Sequence, residues 1–559
     1  MKNFVIAGLL LLSLSAFAED KPHALVAPHA GWSFTEAGLI PIQSGGRVKP
    51  LDSFAREIIL FETGSRSFEN WNPVELLFSW VTAPEYWENR EIIQVTRTDV
   101  KRQLGLDEKR SKFSPREIYR DSFLAQYADG LSHDAGQQSV PISKTSKADP
   151  RDQELRRLLE RVGMYHGVIS GEGWPVIPVV AVGGQWLSLA SKDPGKSTIL
   201  KNYATMLTAY FAGNKEAFDA SSTMTRTVVE SEIAGFSEGD RRVIKAEALY
   251  NRYHPFLWAW IFYLLAALLW TCVRMTTDGV SLVYRKIAVP VTAVAATCHI
   301  LGIAFRCFIA GRPPVTNMYE SIIWVSLGVF VFASILYAIH RQAVLYAVSC
   351  FLATLGLIAA DAAPAMMDPG IHPLVPVLRS NYWLTIHVLT ITLGYAAFAL
   401  TLGIANVTLF QFFKSKIDSV KIAGLNQLTY RAMQFGVVLL AAGTILGGIW
   451  ADYSWGRFWG WDPKEVWALI ALLGYLAVLH ARFTGWMKQF GFAAWTAISF
   501  MLVVMAWYGV NFVLGVGLHS YGFSAGGQGF MITFVSLQLS YVIAASLSHF
   551  GVFKRKTAV

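Results

Sequence analysis

The chain has 559 residues, of which 53% are hydrophobic and 13% aromatic, and only 16% are charged. That is too apolar for a water-soluble globular protein and marks a polytopic membrane protein. The net charge of +9 falls largely beside apolar runs, where basic residues flank membrane spans; no nucleic-acid-binding motif accompanies it.

The chain opens Met1-Lys2-Asn3, continues with an apolar run from Phe4 to Leu14, and reaches Ala16-Phe17-Ala18 before Glu19-Asp20. Residues 1–18 read as a signal peptide cut after Ala18, with an uncleaved anchor as the alternative. Either way, residues from 19 onward are exported. Residues 19–254 are mixed and charged and read as a mainly helical extracytoplasmic domain. Pro50 to Ile59 predicts a capped helix ending near Gly64, and Ser114-Pro115-Arg116-Glu117 opens another. Asp152 to Val162 and Ser197 to Ala212 show helical spacing, whereas Glu91 to Thr96 and Val176 to Val182 suit short strands. The polar stretch Gly130 to Asp149 reads as a loop. His23, His29, His133, His166 and His254 lack metal-type spacing and are assigned no role.

Residues 255–559 are expected to form an all-α bundle of about nine transmembrane helices. The apolar segments lie near 256–274, 287–309, 320–340, 343–361, 383–413, 431–450, 465–483, 491–513 and 530–550. Each is long enough to span a bilayer. Alternate links carry Arg274, Arg285 and Lys286, then Arg341, then Lys414, Lys416, Lys421 and Arg431, then Arg482 and Lys488, then Lys554 to Lys556. The positive-inside rule puts these links and the C-terminus in the cytoplasm. The 361–382, 450–467 and 514–529 loops then face outward. Cys272, Cys298, Cys307 and Cys350 all lie in or beside spans, so the exported part has no disulfide framework. Neither Cys-x-x-Cys-His, a P-loop, Gly-x-Ser-x-Gly nor His-Glu-x-x-His occurs, which excludes a c-type cytochrome and the commonest hydrolase and nucleotide sites.

The densest feature is Trp455-Gly456-Arg457-Phe458-Trp459-Gly460-Trp461-Asp462-Pro463-Lys464-Glu465-Val466-Trp467. Asp462 reads as an N-cap, Pro463 as the first helical residue, and Glu465 as the partner in a capping box. The tryptophans suit two readings. One is an interfacial anchor belt; the other is a platform of indole rings for a large planar apolar ligand.

Two histidines lie on the same predicted face. His387 is about one turn inside its span, and His519 sits in a Gly-rich loop just past another. Each alone suits a backbone hydrogen bond at a span end. Together, flanking an aromatic platform, they suit axial ligation of haem iron. His480 and His299 lie inside spans, where an ionisable group is a functional candidate by default. They are offset in depth, which counts against a mutual pair. His340 and His549 read as interfacial, and His372 as an outer-loop candidate.

The run Trp455 to Trp467 resembles the WWD signature of haem-handling membrane proteins. With His387, His519 and the stretch Gly311-Arg312-Pro313-Pro314 to Asn317-Met318-Tyr319-Glu320-Ser321, it is similar to the CcsA-type subunit of the System II cytochrome c synthase, over about residues 285–550. Gly46 to Glu57 is similar to a soluble region of fused CcsBA proteins. The resemblance implies that haem b is held at the periplasmic face of the bacterial inner membrane, with His387 and His519 as its axial ligands. It implies that Trp455, Trp459, Trp461 and Asp462 shape the haem platform, and that His480 is the family's transmembrane histidine. The implied activity is haem lyase, joining haem vinyl groups to Cys-x-x-Cys-His of an apocytochrome c. The implied partners are a CcsB-type membrane subunit, the apocytochrome and a thiol-reducing thioredoxin-like protein. A haem transporter or chaperone serving a separate lyase is the alternative, and a respiratory subunit with structural bis-His haem is a further one.

Overall fold

The structure is a computed structural model and describes residues 26–120, 123–128, 149–179, 184–191, 197–276, 278–362, 367–374, 380–414, 418–514 and 527–551. The signal segment, the polar stretch 130–148, the end of the 176–182 strand, His23, His133 and His519 with its loop lie outside these residues. The chain divides into two units, residues 1–253 and 254–559.

The first unit begins with a hairpin, β1 (Pro41–Ser44) and β2 (Arg47–Pro50), paired from Pro41↔Pro50 to Ser44↔Arg47. Gly45 and Gly46 form its turn at φ 60° and 81°, the left-handed conformations that a tight hairpin turn requires. Helix α1 (Leu51–Thr63) follows and stops at Gly64, φ 67°, as the sequence predicts. Helices α2 (Pro73–Thr82), α3 (Pro150–Ser170), α4 (Ser197–Phe211), α5 (Lys215–Glu232) and α6 (Glu238–Tyr253) complete the frame. The expected strand at 91–96 is reduced to Ile93–Gln94, paired with Lys112–Phe113. The capping box at Ser114 is present, with Glu117 closing it. Phe54, Phe78, Trp80, Trp87, Trp174 and Tyr203 belong to one buried aromatic core.

The stretch from Gly46 to Glu57 is a fastening for α6. Arg47 forks onto Glu247 at 2.7 and 2.6 Å, a bidentate pairing that suits guanidinium. Asn251 donates to Asp52 at 2.9 Å and to Ser53 at 2.7 Å. Buried Lys49 reaches Glu57 at 2.6 Å.

The second unit is all α. Among the described residues, the chain has nine helices long and apolar enough to cross a membrane, matching the nine predicted segments. They run through α7 (Pro255–Met275), α8 (Asp278–Ala310), α9 (Met318–His340), α10 (Ala343–Ala362), α11 (Leu389–Gln411), α12 (Ser419–Trp455), α13 (Pro463–Phe483), α14 (Gln489–Val504) and α15 (Gln528–His549), the span at α11 starting from Thr385 and that at α14 reaching Leu514. A π-helical turn, Leu384–Val388, leads into α11, and another, Met505–Leu514, extends α14.

Helix α11 is central, packing on α9, α10, α12, α14 and α15. Its approach to α12 depends on small residues. A Cβ on Gly394 would lie 3.0 Å from Leu440 N, and one on Gly443 would lie 2.7 Å from Ile391 Cα. In a bilayer such close backbone contact supplies packing that hydrophobicity alone cannot. Phe398 of α11 stacks on Tyr475 of α13 at 3.7 Å and 10°. Asn406 and Gln538 exchange two hydrogen bonds of 2.9 Å between α11 and α15.

Candidate functional site

At one end of the bundle, the start of α9, the end of α12, the start of α13 and both π-helical turns enclose a pocket. Its empty volume is about 1210 Å³, including its open mouth. The lining is mainly apolar and aromatic, with Trp450, Trp455, Trp459 and Trp507 among it. In its wall Val315 packs with Trp324, Leu374, Val388, Leu389 and Trp450. A cleft of this kind suits a large, flat, mostly apolar ligand.

His387 lines the pocket. The π-helical turn carries it, and such a turn re-aims a side chain away from the regular helical register. Its Nδ1 lies 2.8 Å from the Gly443 carbonyl oxygen. A carbonyl can only accept, so Nδ1 holds a proton, and in the neutral form of the ring the lone pair lies on Nε2. Gly447 makes room for this ring, since a Cβ there would lie 2.6 Å from His387 Cε1. Trp450 flanks the imidazole, its ring centroid 5.7 Å away.

The Trp-rich loop starts where α12 ends. Gly456, φ 69°, turns the chain out of the helix, its N–H bonding Asp452 O. Trp455 and Trp459 line the pocket. Trp461 does not: it is 72% exposed and stands edge-on to Trp459, 87° between planes. It also holds φ +56°, a conformation costly for a bulky residue. The rings therefore form two walls and an outward projection instead of one flat platform. Asp462 is buried and caps α13 in the expected capping box. Glu465 accepts from the N–H groups of Gly460 at 2.8 Å and Asp462 at 3.2 Å, which fixes the loop onto the helix.

The part of the wall formed by Val315 to Met318 is held by a buried charge cluster that sequence reasoning did not find. Glu320 sits between Arg306 at 2.8 Å and Arg312 at 3.1 Å, all three buried. Thr316 adds two bonds to the same carboxylate through N and Oγ1. The arginines also donate to the Pro369 and His372 carbonyls, and Asn317 donates to the Asp368 carbonyl. The cluster thus pins the 367–374 loop and the pocket-lining residues Val315 to Met318. In that loop, burial pushes the Asp368 carboxyl up, but its bond and charge pairing with His372, the Gly370 N–H and the Arg306 charge together hold it below the usual range.

The other histidines lie elsewhere. His480 is exposed in the last turn of α13, its Nδ1 on the Leu476 carbonyl at 2.7 Å. It lies 16 residues beyond Lys464, so roughly 24 Å from the pocket along the helix. His299 is buried among Phe256 and Tyr263, its Nε2 on the Ile323 carbonyl at 3.0 Å. Among the described residues, no cluster of three or more His, Cys, Asp or Glu could hold a bare metal ion.

Residues 315–519 match the family model described as Cytochrome C assembly protein. The chain is 27% identical over 499 residues to Protein NrfI of Wolinella succinogenes, covering 85% of this chain and 53% of that protein. It thus spans about half the length of that relative. It is 31% identical over 255 residues to cytochrome c biogenesis protein CcsA of Prochlorococcus marinus strain MIT 9301, covering 40% of this chain and 81% of that one. With the CcsA of Guillardia theta the identity is 33% over 258 residues, covering 41% and 84%. The NrfI match takes in most of the chain, so the likeness reaches beyond the pocket-bearing unit into the N-terminal one.

Proposed function

We propose, for a chain that belongs to the cytochrome c assembly protein family, that its pocket holds haem b while haem is joined to an apocytochrome c. The family membership supports a role in cytochrome c biogenesis. In our reading the pocket faces the periplasmic side of the inner membrane, and the C-terminus faces the cytoplasm. The observation that carries the reading is the clamped imidazole. Nδ1–H of His387 is committed to a backbone carbonyl at 2.8 Å, and this orients Nε2, the nitrogen that ligates iron, beside walls of tryptophan.

His519, from the loop outside the described residues, is the second axial ligand in this proposal. The reaction is addition of a thiol across a vinyl group. The sulfur bonds to the vinyl carbon next to the ring, and the thiol proton goes to the terminal carbon, with no net oxidation. The chain contributes position: Trp455 and Trp459 hold the plane, His387 holds the centre, and the vinyl edge meets the Cys-x-x-Cys-His thiols. Such placement supplies much of the acceleration. The histidine of that motif then replaces one enzyme ligand. His480, too distant for the same iron, is proposed to hold haem on its way outward, with its partner ligand from a CcsB-type subunit. A thioredoxin-like protein would keep the thiols reduced.

Co-expression with a CcsB-type subunit and an apocytochrome, in a host lacking its own maturation system, tests this reading. His387→Ala and His519→Ala are each expected to abolish most covalent haem staining, with partial rescue by imidazole. Full maturation by both variants would overturn the ligand assignment. Haem bound to the chain without any covalent product would favour a transporter serving a separate lyase.

A further inference from the structure

Lys464 is the second residue of α13 and lines the pocket. Its Nζ has one hydrogen-bond partner among the described residues, the Trp507 backbone carbonyl at a long 3.4 Å, and it forms no ion pair among them. An ammonium carries three donors, so most of its capacity is unspent. Asn511 Nδ2 converges on the same carbonyl at 3.0 Å, while Asn511 Oδ1 is buried without a hydrogen-bond partner among the described residues. Both Trp507 and Asn511 belong to the π-helical extension of α14. The indole of Trp507 is fixed by its Nε1–H donating to Ser321 Oγ at 3.2 Å.

The neighbouring carboxylates are committed elsewhere. Asp462 accepts from the Lys464 backbone N–H at 3.0 Å, Glu465 closes the loop, and Glu320 lies between two arginines. A cation at the wall of an apolar cleft is costly without an anion; the Asp462 charge acts on this one only from beyond ion-pair distance, and none of the described carboxylates pairs with it directly. We infer that Lys464, with the Asn511 amide beside it, is a seat for a carboxylate of the pocket's planar ligand. The pocket therefore selects a carboxylated porphyrin over its neutral ester. The inference rests on the haem-binding reading above and adds a specificity to it.

The test is titration of the purified full-length chain with haem b and with its dimethyl ester, which keeps ring and iron but lacks the carboxylates. Binding is read from haem absorbance and tryptophan quenching. Wild type is expected to bind haem b about tenfold tighter than the ester. Lys464→Met should lower haem b affinity to the level of the ester and leave ester affinity unchanged, which also reports that the variant is folded. Lys464→Arg should keep most of the preference. Equal affinity of wild type for both compounds overturns the inference, as does a preference that survives Lys464→Met. Failure of the underlying reading looks different: wild type binds neither compound, or His387→Ala leaves the absorption spectrum of the bound iron unchanged.

Discussion

His387 could be picked out of the sequence because an imidazole one turn inside a span is rare and needs a reason. What orients it could not. Its acceptor, Gly443 O, and the space for its ring, at Gly447, belong to another helix more than 50 residues on, and a helix-interior glycine announces no partner. The structure makes Gly447 testable. An added methyl would sit 2.6 Å from His387 Cε1 and 3.1 Å from Nδ1, so the imidazole must rotate or shift and lose its carbonyl. Gly447→Ala is expected to weaken haem binding about tenfold or more, each tenfold being about 1.4 kcal/mol. It should also abolish the low-spin spectrum of a bis-imidazole iron. Gly424→Ala, on the same helix but outside the pocket lining, is the control. Its methyl would meet nothing within 4 Å, so both readouts should stay near wild type. Trp461 teaches the same limit. The Trp-rich run signals a ring-lined site, but the positive φ that turns Trp461 outward is not encoded in residue type.

At the scale of elements, helix boundaries followed sequence chemistry closely. Apolar length gave the spans, the Asp462–Glu465 box gave the start of α13, and Gly64 gave the end of α1. The two π-helical turns were illegible, because they arise from packing and not from propensity. So was the clamp of Arg306, Glu320 and Arg312. Arg306 lies within α8, 14 residues before its partner, and pairs across a turn that no local periodicity reports. Two cations and one anion buried together depend on one another, and removing the shared partner leaves uncompensated charge. Glu320→Ala is therefore expected to destabilise the second unit by about 3–5 kcal/mol, seen as a lower thermal midpoint in detergent. It should also release the 367–374 loop, seen as faster hydrogen exchange at Gly370 and His372. Replacing all three residues by apolar ones of similar volume should cost much less. A triple variant as unstable as Glu320→Ala would show that the charges do more than balance each other.

For the whole molecule, composition alone separated a polar N-terminal part from an apolar remainder, and the structure resolves each into a unit with its own core. The interior of the first unit was less legible, since its strands are two to four residues long and its core gathers tryptophans from distant segments. That core buries a carboxyl group, Glu62, neither of whose oxygens has a hydrogen-bond partner among the described residues. Burial pushes its pKa well above the ordinary value of 4.5, against the opposing charge of Arg161. The folded unit therefore keeps a proton that the unfolded chain releases as pH passes 4.5. Stability falls wherever the native state binds more protons, so the first unit should weaken as pH rises from 4.5 toward the folded pKa. Residues 26–253, carrying a complete core, are expected to fold alone as a soluble domain with one cooperative melt. In that domain Glu62→Gln, which cannot ionise, should be more stable than wild type at about pH 8 and close to it at about pH 4. Parallel melting curves across that range, with no pH-dependent gap, would mean that the folded domain lets Glu62 reach water or a partner and ionise at its ordinary value.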